Sequence, residues 1–585
     1  MSSIFKRQKK NSFAVEKRFL LKYSSPYITE ISISIILVIL IAYCSANIIK
    51  LISPTIDSIY SIKHPSELKI ITFLATKIIT LHFLKAISEY FQQFLVKNVS
   101  NKILMQIQKD MFNSVLKNDH IKSYPEKIFS HFTNDISLVR STLSIILGNW
   151  IKHSISVIFV TFVMFQMNAK LSLLIILFFP ISFYISYQIN KELKNVTLNI
   201  QDSLNFFTKK INDVFSRIKL IKISSKEEYE YKIFCKSLDE LNNLYEKSSK
   251  LESSVSPIME IISGIGTITI IIIGSALILK KSLSPGDVVA FNTAFASIYR
   301  PFKTLISMNV HIKIAFTAIN NLFEFIKKNN IPNQLNHSKI NLATPIIEFK
   351  NISLNINFQK ILKNINIDFN KKDIYLIVGK SGSGKSSIIN LLLGFYEASN
   401  GEIKINGQNQ NQIDLKNLRS QIDFIAQENM LINDSIFNNI TYSSKIFDLE
   451  KIQDISKETL LEKIVKKLPK KYDFLVEHKG YNLSGGERQI ISITRSIIRN
   501  APILILDEAT SSIDFKSERK ILNFLIKKRK DKMTIIINHR IKNLKNISKN
   551  IFVIKDGQCV GKGSHQDLYQ NNIEYKKIFD NEELF

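Results

Sequence analysis

Three stretches of this chain run for nineteen or twenty positions without a charged residue: Ile31 to Ile49, Leu171 to Asn190 and Ile261 to Leu279. A helix rises about 1.5 Å per residue and a bilayer core is about 30 Å thick, so ~20 apolar residues are what a crossing needs. Ser154 to Ala169 is also charge-free and reads as the end of a longer helix that starts near Leu143. Two weaker runs complete the pattern. Ile70 to Val96 is broken by Lys77, His82, Lys85 and Glu89, and Val288 to Phe316 by Arg300, Lys303, His311 and Lys313. Counting both predicts six spans, near 27–53, 68–96, 140–168, 170–191, 256–280 and 286–316.

The positive-inside rule orients them. The arm over 1–26 carries Lys6, Arg7, Lys9, Lys10, Lys17 and Arg18 and belongs in the cytoplasm. No short apolar core with a small-residue cleavage site follows it, so a cleaved signal peptide is not expected. The short loop from Ser53 to Ser66 then lies outside, and the charged, helix-patterned segments 97–138 and 191–255 lie inside. Six spans return the second half to the cytoplasm, in the inner or cell membrane. Lys280 and Lys281 fall on the outer side, a small breach of the rule.

The net charge is +29, from 79 Lys and Arg against 50 Asp and Glu. An anionic partner accounts for such an excess. So does a compositional bias, since Lys, Asn and Ile recur throughout. The three cysteines, Cys44, Cys235 and Cys559, are far apart and match no metal-ligand spacing. Ionisable groups inside a span cost about 2.5–3.5 kcal/mol on insertion scales, so they face a cavity, another helix or a helix end. Lys77 and Lys85 fall within about 80° on one helix face. With Lys152, Arg300 and Lys303 they either line a basic cavity for an anionic headgroup or snorkel to the interface.

After an Asn- and Lys-rich linker, 327–344, the pattern changes to short strands alternating with helices over 345–585. Asp373 to Val378 (DIYLIV) reads as a buried strand. It runs into Gly379, Lys380, Ser381, Gly382, Ser383, Gly384, Lys385, Ser386 and Ser387, then the apolar helix IINLLLGFY. Strand, G-x-x-x-x-G-K-S and helix together form a phosphate-binding loop. Glycines let backbone N–H groups curl toward phosphates, and the helix N-terminus adds positive potential. Lys385 reaches the β- and γ-phosphates, and Ser386 ligates Mg²⁺. A second apolar strand, Ile503 to Leu506, ends in Asp507 and Glu508. Asp507 sits where the metal needs a carboxylate, and Glu508 where an attacking water needs a base.

A second glycine-rich turn, YNLSGGERQ over 481–489, is followed by IISITRSIIRN. It resembles the signature motif of ATP-binding-cassette (ABC) ATPases. The resemblance implies that Ser484, Gly485, Gly486 and Glu487 open a helix facing the γ-phosphate held on another domain's phosphate loop. Gln427 in FIAQENM is similar to the family's glutamine loop, which implies contact with Mg²⁺ and the membrane domain. Ser511 to Asp514 matches the D-loop, His539 in TIIINHR the switch histidine, and Glu477 the cross-domain coupling glutamate. The family's adenine-stacking Tyr has no counterpart: Ile356 aligns there and Phe358 is the nearest aromatic. Either Phe358 stacks or adenine packs on aliphatic side chains. In the first half, HFTNDISLVRS, LSPGDVVAF and KLIKISSKEEYEYKIF resemble segments of ABC exporters.

The resemblance covers nearly the whole chain. It implies a multidomain protein, an all-α six-helix transmembrane domain (27–326) joined to an α/β P-loop NTPase. One ATPase half per chain implies a homodimer with two composite sites for ATP and Mg²⁺. Short coupling helices are expected near 115–128 and 213–228. The implied activity is ATP-driven export or flipping of a lipid or amphipathic molecule, with membrane lipids as neighbours and no nucleic acid. Drugs, peptides or thiol compounds are alternative cargoes, and an ATP-gated channel or regulatory subunit is a different class.

Overall fold

The computed structural model describes residues 21–61, 68–118, 128, 131–176, 178–329, 338–356, 359–370, 372–428, 430–444, 448–538 and 548–581. The chain divides into two compact units at residue 330.

Among the described residues, the first unit is built from six long helices: α1 (Ile28–Ser61), α2 (Leu68–Lys117), α3 (His131–Met167), α4 (Ala169–Ser216), α5 (Glu227–Leu279) and α6 (Pro285–Asn329). The first five are long and apolar enough to cross a membrane. In α6 the apolar stretch is interrupted by Arg300, Lys303 and Lys313, and composition alone does not mark it. α2 has 50 residues, or about 75 Å of helix, far more than a ~30 Å core requires. The charged segments after spans two and four therefore begin as continuations of the same helices, to Lys117 and Ser216, and residues 227–255 already belong to α5. A six-residue helix, Ile218–Ile223, lies in the second expected coupling segment.

Large apolar side chains point outward along these helices, among them Ile36, Phe73, Phe83, Phe162, Ile268 and Ile272. In the most apolar stretch of α2 no residue is buried by the rest of the chain. Water is a poor solvent for that surface, at roughly 25 cal/mol per Å², and lipid a good one. Inside, Val160, Val163, Ile270, Phe291, Phe295 and Ile298 form one core, and Ile103, Ile107, Met111, Val139, Ile319 and Leu322 another. The end of α1 is latched to the start of α6. Ser53 Oγ donates to Asp287 Oδ1 at 2.8 Å, and Gly286 N donates to Asp57 Oδ1 at 2.9 Å. A Cβ on Gly286 would stand 2.4 Å from the Ser53 carbonyl, so the approach needs glycine.

Among its described residues the second unit holds two sheets. The smaller is antiparallel in the order β2-β1-β4-β5, from β1 (Ile347–Ile356), β2 (Gln359–Phe369), β4 (Asn400–Ile405) and β5 (Gln408–Asn409). The larger has the order β10-β9-β3-β8-β7-β6, from β3 (Ile374–Val378), β6 (Ile422–Ile425), β7 (Ile503–Asp507), β8 (Met533–Ile537), β9 (Asn550–Lys555) and β10 (Gln558–Gly563). All its pairs are parallel except β9 with β10. Every residue of β3, β7 and β8 is buried, as a sheet covered on both faces demands. Alternate residues separate cleanly. Leu376, Leu504, Leu506 and Ile536 join one core with the helix over 485–499, whereas Ile377, Ile505, Ile535 and Ile537 join the other with the helix over 385–392. The two glycine-rich turns thus open helices on opposite faces of one sheet.

Candidate functional site

The parallel pairing β3·β8·β7 brings three strand ends together: Ile377 pairs with Ile537, and Asp507 with Ile537. Ligands of open α/β sheets bind at the carboxyl ends of such strands. β3 delivers the phosphate loop there, and α7 (Lys385–Leu392) starts from it. Gly384 caps α7 with φ +101°, a left-handed conformation that other residues rarely take. Lys385 is buried, its Nζ donating to the Gly379 carbonyl at 2.8 Å and the Lys380 carbonyl at 2.9 Å. Burial draws its pKa below the usual lysine range, opposed by the charges of Glu508 and Asp507. Ser383 is also buried and its hydroxyl has no hydrogen-bond partner among the described residues.

Asp507 closes β7 and is buried. Burial pushes its carboxyl above the ordinary range. A hydrogen bond from Ser386 and the charge of Lys385 work against that, while Glu508 adds to it. Glu508 has φ +50° and its N–H donates to the Ile537 carbonyl at 2.9 Å. A non-glycine residue held in this region is strained by about 1–3 kcal/mol, a pattern found at reactive positions. Gln427 Nε2 donates to Glu508 Oε2 at 2.8 Å. Lys385, Ser386, Asp507, Glu508 and Gln427 therefore meet in one place.

The donor set fits Mg²⁺ in a particular way. Asp507 and the Ser386 hydroxyl are hard oxygens, already bonded to each other. Among the described residues there is no cluster of three or more His, Cys, Asp or Glu. Mg²⁺ is commonly held by one or two protein oxygens with phosphate and water completing its octahedron.

The signature turn is organised differently. Ser484 is the N-cap of α8 (Gly485–Arg499), in a reciprocal capping box with Glu487. Glu487 N donates to Ser484 Oγ at 3.3 Å, and Ser484 N donates to Glu487 Oε2 at 2.8 Å. The Gly485 and Gly486 amides have no partner among the described residues. Two free donors at the start of a fifteen-residue helix make an anion-binding end. The D-loop lies against this turn. Gln489 Nε2 donates to Ser511 Oγ at 3.1 Å and Gln489 Oε1 accepts from Ser512 N at 2.9 Å. Asp514 caps the next helix, accepting from Ser517 N, which holds its carboxyl below the usual range.

Two sequence candidates, His539 and Phe358, lie outside the described residues. Glu477 is exposed, its N–H bonded to Asn482 Oδ1 at 3.1 Å. In the first unit, Lys77 is exposed and Lys85 half-buried on α2. Lys152 is not a free cation, since its Nζ pairs with Glu89 Oε1 at 2.9 Å. The side chains of Arg300 and Lys303 are outside the described set. Sequence reasoning missed Gln489 and the arginines of α8. Arg488, Arg495 and Arg499 recur at spacings of seven and four on an amphipathic helix that has no other basic residue. That places them on one face, a signal that was there to be read. Arg488 Nη1 donates to the Leu483 carbonyl at 2.6 Å, and Arg499 Nη1 to Asp423 Oδ1 at 2.9 Å.

Two family models match the chain: ABC transporter transmembrane region over residues 31–302 and ABC transporter over residues 362–511. Curated relatives span nearly the full length. The ATP-dependent lipid A-core flippase of Syntrophus aciditrophicus is 28% identical over 565 residues, 96% of this chain and 93% of that protein. Proteins of the same name from Wigglesworthia glossinidia brevipalpis and Haemophilus influenzae are each 29% identical, over 95% and 92% of this chain and 96% and 92% of their own lengths. A solved structure, a bacterial Atm1-family ABC exporter with ATP bound, aligns with a TM-score of 0.83 over 94% of this chain and 99% of that one. Its identity is 20%, so it speaks to the fold.

Proposed function

The chain belongs to the ABC transporters, an exporter-type half-transporter with membrane region and ATPase on one polypeptide, and from that premise we propose that two copies export or flip a lipid-like amphipath by alternating access. The ATPase domain binds ATP, and its hydrolysis is coupled to transport. The observation that carries the reading is the gathering of Lys385, Ser386, Asp507, Glu508 and Gln427 at the strand ends, while the signature turn keeps two amides free. On this reading one chain holds half of each of two sites.

The phosphate loop, Gly379 to Ser387, binds the phosphates of one ATP, with Lys385 on the β- and γ-oxygens. Ser386, Asp507 and Gln427 would hold Mg²⁺, which when bound would neutralise phosphate charge. Glu508 orients the attacking water and accepts its proton, and Gln427 fixes that carboxylate through the bond already present. Ser484, Gly485 and Gly486 of the second copy close over the γ-phosphate. By resemblance to the family, His539 would contact the γ-phosphate, and adenine would pack on Phe358 or on aliphatic side chains. Closure of the two ATPase domains turns the membrane cavity from the cytoplasm to the far side of the inner membrane.

Two lines support a lipid cargo: the relatives are lipid A-core flippases by name, and the spans carry the basic residues Lys77, Lys85, Arg300 and Lys303. The Lys152–Glu89 pair removes one cation from that set. The experiment is ATPase activity of the full chain in nanodiscs, wild type against Glu508→Gln, with anionic phospholipids or lipopolysaccharide precursors added in turn. Stimulation by one lipid class, abolished in the variant, is expected. Turnover indifferent to every lipid would remove the lipid cargo. Ion flux insensitive to Glu508→Gln would point to a channel instead.

A further inference from the structure

Arg495 sits in the middle of α8, and among the described residues its three hydrogen bonds all end on neutral oxygens. Nε donates to the Asn439 carbonyl at 2.8 Å, Nη2 to Asn439 Oδ1 at 3.1 Å and Nη1 to the Met430 carbonyl at 2.8 Å. Withdrawing a cation from water without a bonded anion is costly. Burial accordingly draws its pKa below the usual arginine range, with Asp423 and Tyr442 opposing at a distance. A Leu or Met here would continue the apolar ridge that Ile491 supplies one turn earlier.

The acceptors say what the guanidinium holds. Met430 lies three residues after Gln427, the residue bonded to Glu508. Asn439 is fully buried, and its side chain fastens the rest of the same loop. Its Oδ1 accepts from Ile432 N at 3.0 Å, and its Nδ2 donates to the Ile432 carbonyl at 3.0 Å and the Ser435 carbonyl at 3.1 Å. The segment from Gln427 to Ser435 is therefore tied at two points to a helix whose first turn is the signature motif. About three turns of rigid helix separate Gly485 from Arg495.

We infer that Arg495 is a positioning residue for hydrolysis: with Asn439 it clamps the glutamine loop to the signature helix, so that closing of the signature turn is transmitted to Gln427 and Glu508. The inference rests on the proposed roles of Gln427 and Glu508. An arginine suits the task because its planar fork donates in several fixed directions at once, which a lysine cannot reproduce.

The test is steady-state ATP hydrolysis by the full chain in nanodiscs for wild type, Arg495→Met, Arg495→Lys and Glu508→Gln. Binding of a fluorescent ATP analogue and thermal unfolding are measured on the same samples. For Arg495→Met, kcat is expected to fall roughly tenfold or more while KM for ATP and the analogue Kd stay within about threefold. Arg495→Lys is expected between the two. An unchanged kcat in Arg495→Met overturns the clamp. So does a loss of kcat matched by an equal loss of binding and a lowered unfolding temperature, which is general loosening of the domain. If Arg495→Met does not assemble, Arg495→Lys decides by the same split. Glu508→Gln separates the two levels. Wild-type turnover in that variant sinks the proposed site itself, whereas its loss beside a fully active Arg495→Met sinks only the clamp.

Discussion

The two halves of this chain solve burial in opposite ways. In the ATPase half, β3, β7 and β8 bury every residue, and alternate side chains feed two separate cores. In the membrane half, helices of up to 53 residues expose Ile, Leu and Phe along their length and bury a minority. The ATPase half carries its own solvent-excluding layers, while the membrane half leaves that task to lipid and to other protein. Polar groups consequently do different work. At the strand ends they are gathered for chemistry. Within the spans Lys152 is paired with Glu89, which offsets the cost of a charge held away from water.

If that contrast holds, the ATPase half is broken most severely by substitutions that leave its fold intact. Glu508→Gln is nearly isosteric and is expected to lower ATP turnover by ~10²–10⁴, the usual contribution of a general base. Circular dichroism and nucleotide binding should remain unchanged. The membrane half should instead fail through solvation. Glu89→Gln strands the Lys152 ammonium and is expected to destabilise the protein by about 2 kcal/mol, below the 3–5 of a fully buried pair. The double variant Glu89→Gln/Lys152→Met should regain most of that loss in detergent unfolding. An additive double variant would mean that the pair does not interact.

Ser484→Ala removes the cap of α8 and is expected to cost about 1 kcal/mol. It should also lower turnover, because the free amides of Gly485 and Gly486 then lose a fixed direction. A smaller effect concerns Asp507, whose folded carboxyl titrates above the ordinary range because it is buried. The folded state therefore binds this proton more tightly than the unfolded chain. Its stabilising share is complete at low pH and is lost as pH rises through the folded pKa. Asp507→Asn should accordingly raise the unfolding temperature of nucleotide-free protein at pH 8, with a gain that shrinks on acidification, while turnover disappears. At the bottom of the scale, Glu462→Gln breaks an exposed pair with Lys466. A change within about 0.5 kcal/mol is expected, and a larger one would mean that surface charge matters more in this basic chain than the contrast allows.

The gathering of Lys385, Ser386, Asp507 and Glu508 was legible because each half of it depends on short spacings. A phosphate loop needs its glycines, Lys385 and Ser386 within nine consecutive positions, and a strand tip needs Asp507 next to Glu508. The spans were legible because lipid demands uninterrupted apolar length. The spacing of the α8 arginines was legible, but the partners of Arg495 and Gln489 were not, since each acts on a loop brought near only by folding: Met430 is 65 positions from Arg495, and Ser511 is 22 from Gln489. The Lys152–Glu89 pair escaped for the same reason, being 63 positions apart in the sequence. Read along the chain, Lys152 was one more cation for a basic cavity, whereas in space it is neutralised.

What the amino-acid sequence determined by itself was composition over a window: which segments dissolve in lipid, which strands are covered on both faces, and which turns present backbone amides to phosphate. Local sterics and solvation decide those properties, and both act over fewer than about twenty residues. Tertiary structure decided which charges are paired, which carboxylate is strained and held by Gln427, and which loops the signature helix grips. Such contacts depend on the register of strands and the facing of helices, and these are settled only when the whole core packs at once.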